Sequence, residues 1–245
     1  MSIQETLTLA YFERLVSSPE GRAHVLATCA DAEASDEGAL FDRLLTWVDD
    51  EDLAKLVRRH QEDELRHADM FLACLARTGV AAPTVPEHLK LLKRIDGLLG
   101  GMMDEPMKTR EDVMRVYLLL QVIEERASTQ FGLHVRAYRK VDPKTADVVE
   151  QIAKDEARHL KYCRAISRRY APNEETLLRE LARFREIEGR AFAANSRANM
   201  DYVREQGFVK FGPLEDLFWR GVRAVTGRVQ TSVPTPFWTE SAAAA

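Results

Sequence analysis

Two nearly identical five-residue runs constrain the fold of this chain more than any other feature. DELRH occupies residues 63–67, and DEARH occupies residues 155–159. In each run a Glu precedes a His by three residues, and residues three apart lie on one face of a helix, about one turn from each other. In both segments the Glu and the His fall inside the apolar stripe of the helical pattern. The repeat therefore predicts two helices that each bury a Glu and a His.

The two neighbouring long helical segments are expected to supply further carboxylates, because a buried ionised carboxylate is costly unless it is paired or binds a metal. In the third long segment, Glu124 falls on the apolar stripe and the adjacent Glu125 falls at its edge. The first long segment, predicted as one helix over about 19–48, has both Glu33 and Glu37 on its stripe. Glu33 precedes the first motif by nearly the same interval as Glu124 precedes the second. This spacing favours Glu33, and Glu37 stays an alternative or an additional carboxylate.

Helical periodicity runs through almost the whole sequence, and no segment has a convincing strand pattern. Four long helices are expected within 19–170, arranged as two hairpins that a Gly- and Pro-interrupted crossover at 79–109 joins. Short loops make neighbouring helices antiparallel. A short helix precedes this bundle, two helices within about 174–227 follow it, and an irregular tail covers 232–245. We therefore predict an all-α fold with a single helical domain over 1–231.

Composition excludes several classes of protein. The 245 residues are 45% hydrophobic and 30% charged, which is typical of a globular protein with an apolar core. A net charge of −4 argues against general nucleic-acid binding. The three cysteines are far apart and form no CxxC motif, which is typical of a reducing compartment. No apolar run is long enough for a membrane span, and the N-terminal sequence is not a signal peptide. We expect a cytoplasmic protein.

The order Glu, Glu-x-x-His, Glu, Glu-x-x-His on four successive long helices resembles the ferritin-like di-iron carboxylate superfamily. The resemblance covers about residues 20–170 and implies a four-helix bundle with a dimetal centre. Four carboxylates and two imidazoles suit two iron ions, although two manganese ions or a mixed pair also fit such ligands. The predicted metal ligands are Glu33, Glu64, His67, Glu124, Glu156 and His159.

The function that this resemblance implies is a non-haem di-iron oxidase or oxygenase. Its partners would be O₂, a small organic substrate and an electron donor, and the protein would be a monomer or a homodimer without nucleic acid. One alternative is a ferroxidase or iron-handling ferritin-like protein, although the two added C-terminal helices are unusual for an iron store. A further alternative is a helical interaction module with a structural metal or with none.

Several other residues could belong to such a site, although simpler roles are expected for them. His60 lies one turn before Glu64 and is a possible extra ligand, whereas a hydrogen-bonded or core role is the simpler expectation. His134 is interpreted in the same way. The aromatic residues of the last two helices are expected to pack against the bundle, and they could also cover a substrate channel: Phe184, Phe192, Tyr202, Phe208, Phe211, Phe218 and Trp219.

Overall fold

The computed structural model describes residues 3–34 and 37–226, without the side chains of 37–39. About 80% of this part of the chain is helical and none of it is strand, so the predicted all-α class is confirmed for the described residues. A short 3₁₀ helix at Glu87–Leu89 accompanies nine α-helices: α1 Ile3–Leu15, α2 Pro19–Glu33, α3 Glu37–Leu45, α4 Glu51–Ala76, α5 Leu91–Leu98, α6 Arg110–Val141, α7 Pro143–Tyr170, α8 Glu174–Glu205 and α9 Pro213–Val225.

Side-chain caps fix where the long helices begin. Ser18 accepts a hydrogen bond from the Gly21 backbone N–H at the start of α2, and Pro19 occupies its first turn. Asp50 accepts from two backbone N–H groups at the start of α4. Thr109 and the third residue of α6 form a reciprocal capping box. Asn173 caps α8 in the same manner as Ser18 caps α2. These side chains satisfy N–H groups that the first helical turn leaves without a partner.

The prediction of one unbroken helix over 19–48 is wrong. α2 ends at Glu33, because Ala34 leaves the helical conformation with φ −83° and ψ 3°, and α3 begins only at Glu37. The intervening residues 35 and 36 are Ser and Asp, types that compete with the backbone for hydrogen bonds and favour helix ends. As a result Glu33 lies on the last turn of α2. The Glu37 side chain lies outside the described residues.

Four helices meet in pairs around the centre of the molecule. α6 and α7 pack along their length as a hairpin that turns at Asp142, and α2 packs against α4. α4 also contacts α7, which brings the two five-residue runs together. One apolar cluster, around Phe71 and Val149, lies toward one end of these helices. A second, around Tyr117 and Ile166, lies toward the other end. The buried acidic and imidazole groups lie between the two.

The C-terminal helices pack against this core as expected. α8 lies beside α6 and runs parallel to it, since successive ion pairs join rising residue numbers on both helices. Phe184 on α8 is fully buried. α9 contacts α1 through an edge-to-face pair of Trp219 and Tyr11, whose ring centroids are 5.2 Å apart. None of the helices in the described ranges has the length and apolarity that crossing a membrane requires. The predicted tail at 232–245 lies outside the described residues.

Candidate metal centre

The two Glu-x-x-His motifs face each other across the contact between α4 and α7. Glu64, His67, Glu156 and His159 are all buried. Each imidazole lies close to the carboxylate of the opposite helix: His67 Nδ1 is 3.1 Å from Glu156 Oε1, and His159 Nδ1 is 3.2 Å from Glu64 Oε1. The spacing of three residues in each motif therefore places four potential ligands at one level of the structure.

The remaining two predicted ligands reach the same place from α2 and α6. Glu33 Oε2 lies 3.4 Å from His67 Nδ1, and Glu124 Oε1 lies 3.5 Å from His159 Nδ1. The donor atoms form two groups, each with all its atoms within 4.8 Å of one another. The first group holds Glu33, Glu64, His67 and Glu156, and the second holds His60, Glu64, Glu124 and His159. All six residues predicted from the sequence are thus brought together, and metal binding by them stays a prediction.

His60 joins the second group, which the sequence did not decide. It is 1% exposed, and its Nε2 lies 2.9 Å from Glu64 Oε1 and 3.1 Å from Glu124 Oε1. Its Nδ1 is buried and has no hydrogen-bond partner among the described residues. A metal-bound imidazole usually donates its second N–H to a nearby acceptor. His67 and His159 each have such an acceptor, and in this respect His60 differs from them. The signal in the sequence was its position one helical turn before Glu64.

The Asp and Arg of both five-residue runs support the two motif histidines in a crossed arrangement. His67 Nε2 lies 3.3 Å from Asp155 Oδ2 on α7, and His159 Nε2 lies 3.3 Å from Asp63 Oδ2 on α4. Arg66 and Arg158 each bind both aspartates, with N···O distances from 2.6 to 2.8 Å. Every position of DELRH and DEARH except the variable third therefore has a partner in the opposite run. Helical period alone places these aspartates and arginines at outer or flanking positions and indicates no partner on another helix.

The buried surroundings raise the pKa values of Glu33 and Glu124 and lower the pKa of Glu64. Burial, followed by the charges of Glu64 and Glu156, raises the pKa of Glu33 well above its ordinary value. Burial, followed by the charge of Glu156, also raises the pKa of Glu124 above its ordinary value. Burial and the charge of Glu156 would also raise the pKa of Glu64, but the neighbouring imidazoles of His159 and His60 lower it to about 2. Carboxylates this close to one another favour shared protons or a bound cation, because their like charges repel at short range.

The unsatisfied atoms at the centre fit a divalent cation better than they fit a hydrogen-bond network. Glu64 Oε1, His67 Nδ1 and Glu156 Oε1 are buried and make no hydrogen bond of acceptable geometry, although neighbouring donor or acceptor atoms lie about 3 Å away. Buried polar groups without partners are rare in folded proteins. Carboxylate and imidazole atoms that point at a common space are the ligands that iron and manganese take. Each of the two donor groups could therefore hold a metal ion.

Glu125 faces away from this cluster, which agrees with the choice of Glu124. Its carboxylate accepts hydrogen bonds from Arg185 on α8, at 2.9 and 2.7 Å, and from Arg164 and Gln121. Burial alone would raise the pKa of Glu125, but Arg185, Gln121 and Arg164 lower it below its ordinary value. Glu125 therefore joins three helices through ion pairs and is not available to the centre.

The chain matches no protein-family model, and comparisons with curated proteins and with solved structures find no significant match. The resemblance to the ferritin-like superfamily therefore rests on the doubled motif and on the geometry around it. The all-helical fold and the buried His and Glu cluster are compatible with that superfamily.

A large cavity adjoins the cluster on one side. Its volume is about 870 Å³, within the range of roughly 300–1,000 Å³ that encloses small organic ligands. Glu33, Glu64, Glu124 and Glu156 all contribute to its wall, whereas the three clustered histidines are not among its described lining residues. Most of the wall is apolar. It comes from α1, α2, α6, α8 and α9, and from α5 with the segments that flank it. The centre is thus open on its carboxylate side.

Proposed function

We propose that this chain is a ferritin-like dimetal protein in which α2, α4, α6 and α7 form the ligand-bearing four-helix bundle. The six predicted ligands would hold two iron ions, or manganese in one or both positions, and His60 would serve as a seventh donor to the second. The supporting observation is the pair of four-residue donor groups that share Glu64. A carboxylate common to both groups suits two ions held side by side.

The proposed reaction is the O₂-dependent oxidation of a small organic substrate. Two redox-active ions held here would supply the reduction of O₂. Insertion of one oxygen atom into a C–H bond also requires two electrons and two protons, so an oxygenase of this kind needs an external electron donor. The chain itself would position the substrate in the adjoining cavity, and its apolar wall would keep water away from the reacting carbon.

The cavity favours an organic substrate over iron as the substrate. A ferroxidase or an iron store needs a polar route for hydrated cations, whereas most of the wall of the whole cavity is apolar. We therefore propose saturation at about two ions per chain, as expected for one dimetal centre, in a monomer or dimer. Aerobic titration with ferrous ion followed by sedimentation tests this proposal. Uptake far beyond two ions per chain in a particle of many subunits would favour storage instead.

Histidine substitutions test the centre directly. His67→Ala and His159→Ala should each lower bound metal well below that of the unmodified protein, because each removes a ligand atom from one donor group. The helical circular-dichroism signal should stay largely intact. His88→Ala is the matched control, since His88 is exposed in the 3₁₀ helix and lies outside both groups. Unchanged metal content in both ligand variants would refute the assignment.

A further inference from the structure

The cavity is elongated along α6. Its wall includes Leu120, Glu124, Ala127, Phe131 and His134, all on one face of that helix. At a rise of 1.5 Å per residue, the distance from the first to the last of these residues is about 21 Å. Glu124 and the other carboxylates of the centre lie toward one end of this length. A ligand that fills the cavity is therefore long, and one part of it lies beside the metal centre.

The other end of the cavity carries three polar groups that lack partners. Tyr11 Oη, both ring nitrogens of His134 and Asn195 Oδ1 are buried, and none has a hydrogen-bond partner among the described residues. All three residues line the cavity. A buried polar group without a hydrogen bond is costly, and most such groups in folded proteins have a partner. Three such residues in one wall give this end of the cavity unused donors and acceptors.

The packing places these three residues at a similar level along α6. Phe12, the neighbour of Tyr11, contacts the His134 ring edge to face with centroids 4.3 Å apart. Arg126 pairs with Glu188, and α6 and α8 run parallel from that pair. Moving eight residues along each helix reaches His134 on α6 and the residue next to Asn195 on α8. The polar groups therefore lie about 15 Å from Glu124 along α6, at 1.5 Å per residue.

The three unpartnered polar groups are themselves uncharged, and the nearby carboxylate of Asp201 is paired with Arg223 at 2.5 Å. Burial lowers the pKa of His134 to about 4, so its ring is neutral at physiological pH. Burial, and secondarily the charge of Asp201, raises the pKa of Tyr11 above its ordinary value. The three cationic side chains of the described wall are all paired with carboxylates: Lys90 with Asp31 at 3.1 Å, Lys93 with Glu87 at 2.6 Å and Arg126 with Glu188 at 2.8 Å. An anionic ligand would find no spare cation in this wall.

We propose that the cavity binds an uncharged, long-chain alcohol, with its hydroxyl group at Tyr11, His134 and Asn195 and its hydrocarbon chain directed toward the carboxylates. A hydroxyl group both donates and accepts, so it can donate to Asn195 Oδ1 and accept from Tyr11 Oη or from the His134 N–H. The apolar wall binds the chain through the hydrophobic effect. That this ligand is the substrate, oxidised at a carbon remote from its hydroxyl, rests on the proposed dimetal function; the binding itself does not.

Calorimetric titration of the full-length protein with decan-1-ol tests the proposal, with decanoate as the charged probe of equal chain length. We expect about one alcohol per chain and a negative heat-capacity change, which marks apolar burial. Decanoate should bind at least about tenfold more weakly, since a carboxylate would be buried without a cationic partner. Equal or tighter binding of decanoate, or no binding of decan-1-ol, would overturn the proposal.

Conservative variants locate the hydroxyl group. Tyr11→Phe and His134→Phe should each weaken decan-1-ol binding roughly three- to tenfold, the usual effect of losing one neutral hydrogen bond. Tyr138→Phe is the matched control, because the Tyr138 hydroxyl is equally buried and without a partner but lies outside the described cavity wall. Equal weakening by the control would refute the assignment of the polar end, and so would unchanged binding in both test variants.

Metal binding is measured on the same samples. This distinguishes a failure of the alcohol-binding proposal from a failure of the dimetal proposal. Binding of decan-1-ol by protein that takes up no iron would support this inference and refute the oxidase proposal. Uptake of two irons by protein that does not bind decan-1-ol would refute this inference and leave the dimetal centre standing. In His67→Ala, alcohol binding should persist while metal content falls, because His67 is not part of the described cavity wall.

Discussion

Replacing either aspartate of the crossed pairs should weaken one metal position and spare the other. In Asp155→Asn, His67 Nε2 loses a charged acceptor 3.3 Å away, and in Asp63→Asn, His159 Nε2 loses the equivalent one. The carboxylate fixes the imidazole tautomer and makes its metal-facing nitrogen more basic, and removing such partners typically lowers metal affinity by about 10- to 100-fold. This corresponds to about 1.4–2.7 kcal/mol of binding free energy.

The effect on folding should be smaller than the effect on metal affinity. Each aspartate also binds Arg66 and Arg158, whose side chains are 40% and 33% exposed. Ion pairs with that much exposure to solvent contribute up to about 1 kcal/mol each. Thermal unfolding of the metal-free variants should therefore change only modestly. A large loss of stability with unchanged metal affinity would show that the aspartates act as structural ion pairs alone.

Competition with a chromogenic chelator under anaerobic ferrous conditions measures both affinities. Each variant should give a biphasic titration. One site should keep an affinity near that of the unmodified protein, and the other should bind about 10- to 100-fold more weakly. Asp69→Asn is the control, since Asp69 is exposed on α4 two residues beyond His67. Binding of both ions by Asp63→Asn and Asp155→Asn as tightly as by Asp69→Asn would contradict this expectation.

Three further outcomes are expected. Glu124→Gln should lower metal content while leaving unfolding nearly unchanged, and Glu125→Gln should do the reverse because Glu125 pairs with Arg185; metal analysis and thermal denaturation decide between them, and the opposite order would refute the assignment. Because burial holds the pKa of His134 near 4, the unfolded state binds an extra proton as pH falls from about 6.5 to 4, and this destabilises the native protein by about 1.4 kcal/mol per pH unit. In urea unfolding series, the free energy of unfolding of His134→Phe should lack this pH dependence. Identical pH profiles for His134→Phe and the unmodified protein would contradict the prediction. Burial raises the pKa of Cys29 to about 12, although the side chain is only half-buried by accessible surface. Iodoacetamide at pH 8 should therefore label Cys29 at least about tenfold more slowly than in denatured protein, as measured by mass spectrometry; comparable rates would show an accessible thiol.

Features that follow from helical period could be predicted from the sequence. Features set by the local backbone conformation or by contacts between helices could not. The Glu-x-x-His spacing and the apolar stripe were sufficient to place Glu64 and to choose Glu124 over its neighbour. The end of α2 at Glu33 was missed, because the preference of Ser and Asp for helix ends is weak against a continuous periodic pattern. The role of Asp63 was missed because its partner lies on another helix, and a single sequence does not state which helices touch.

The candidate metal centre has two different sides, a front that faces the cavity and a back that faces the aspartates and arginines of the two runs. Carboxylates face the cavity, whereas the imidazoles of His67 and His159 are held from behind by Asp63, Asp155 and their arginines. A molecule that arrives through the cavity would meet carboxylate oxygens, and the clustered imidazole nitrogens would stay out of its reach. Substitutions behind the imidazoles should therefore change how tightly metal is held without changing which molecules react. Substitutions along the cavity should change which molecules react without changing the metal. Selection for a new substrate could then proceed on the front face while the back remains the same.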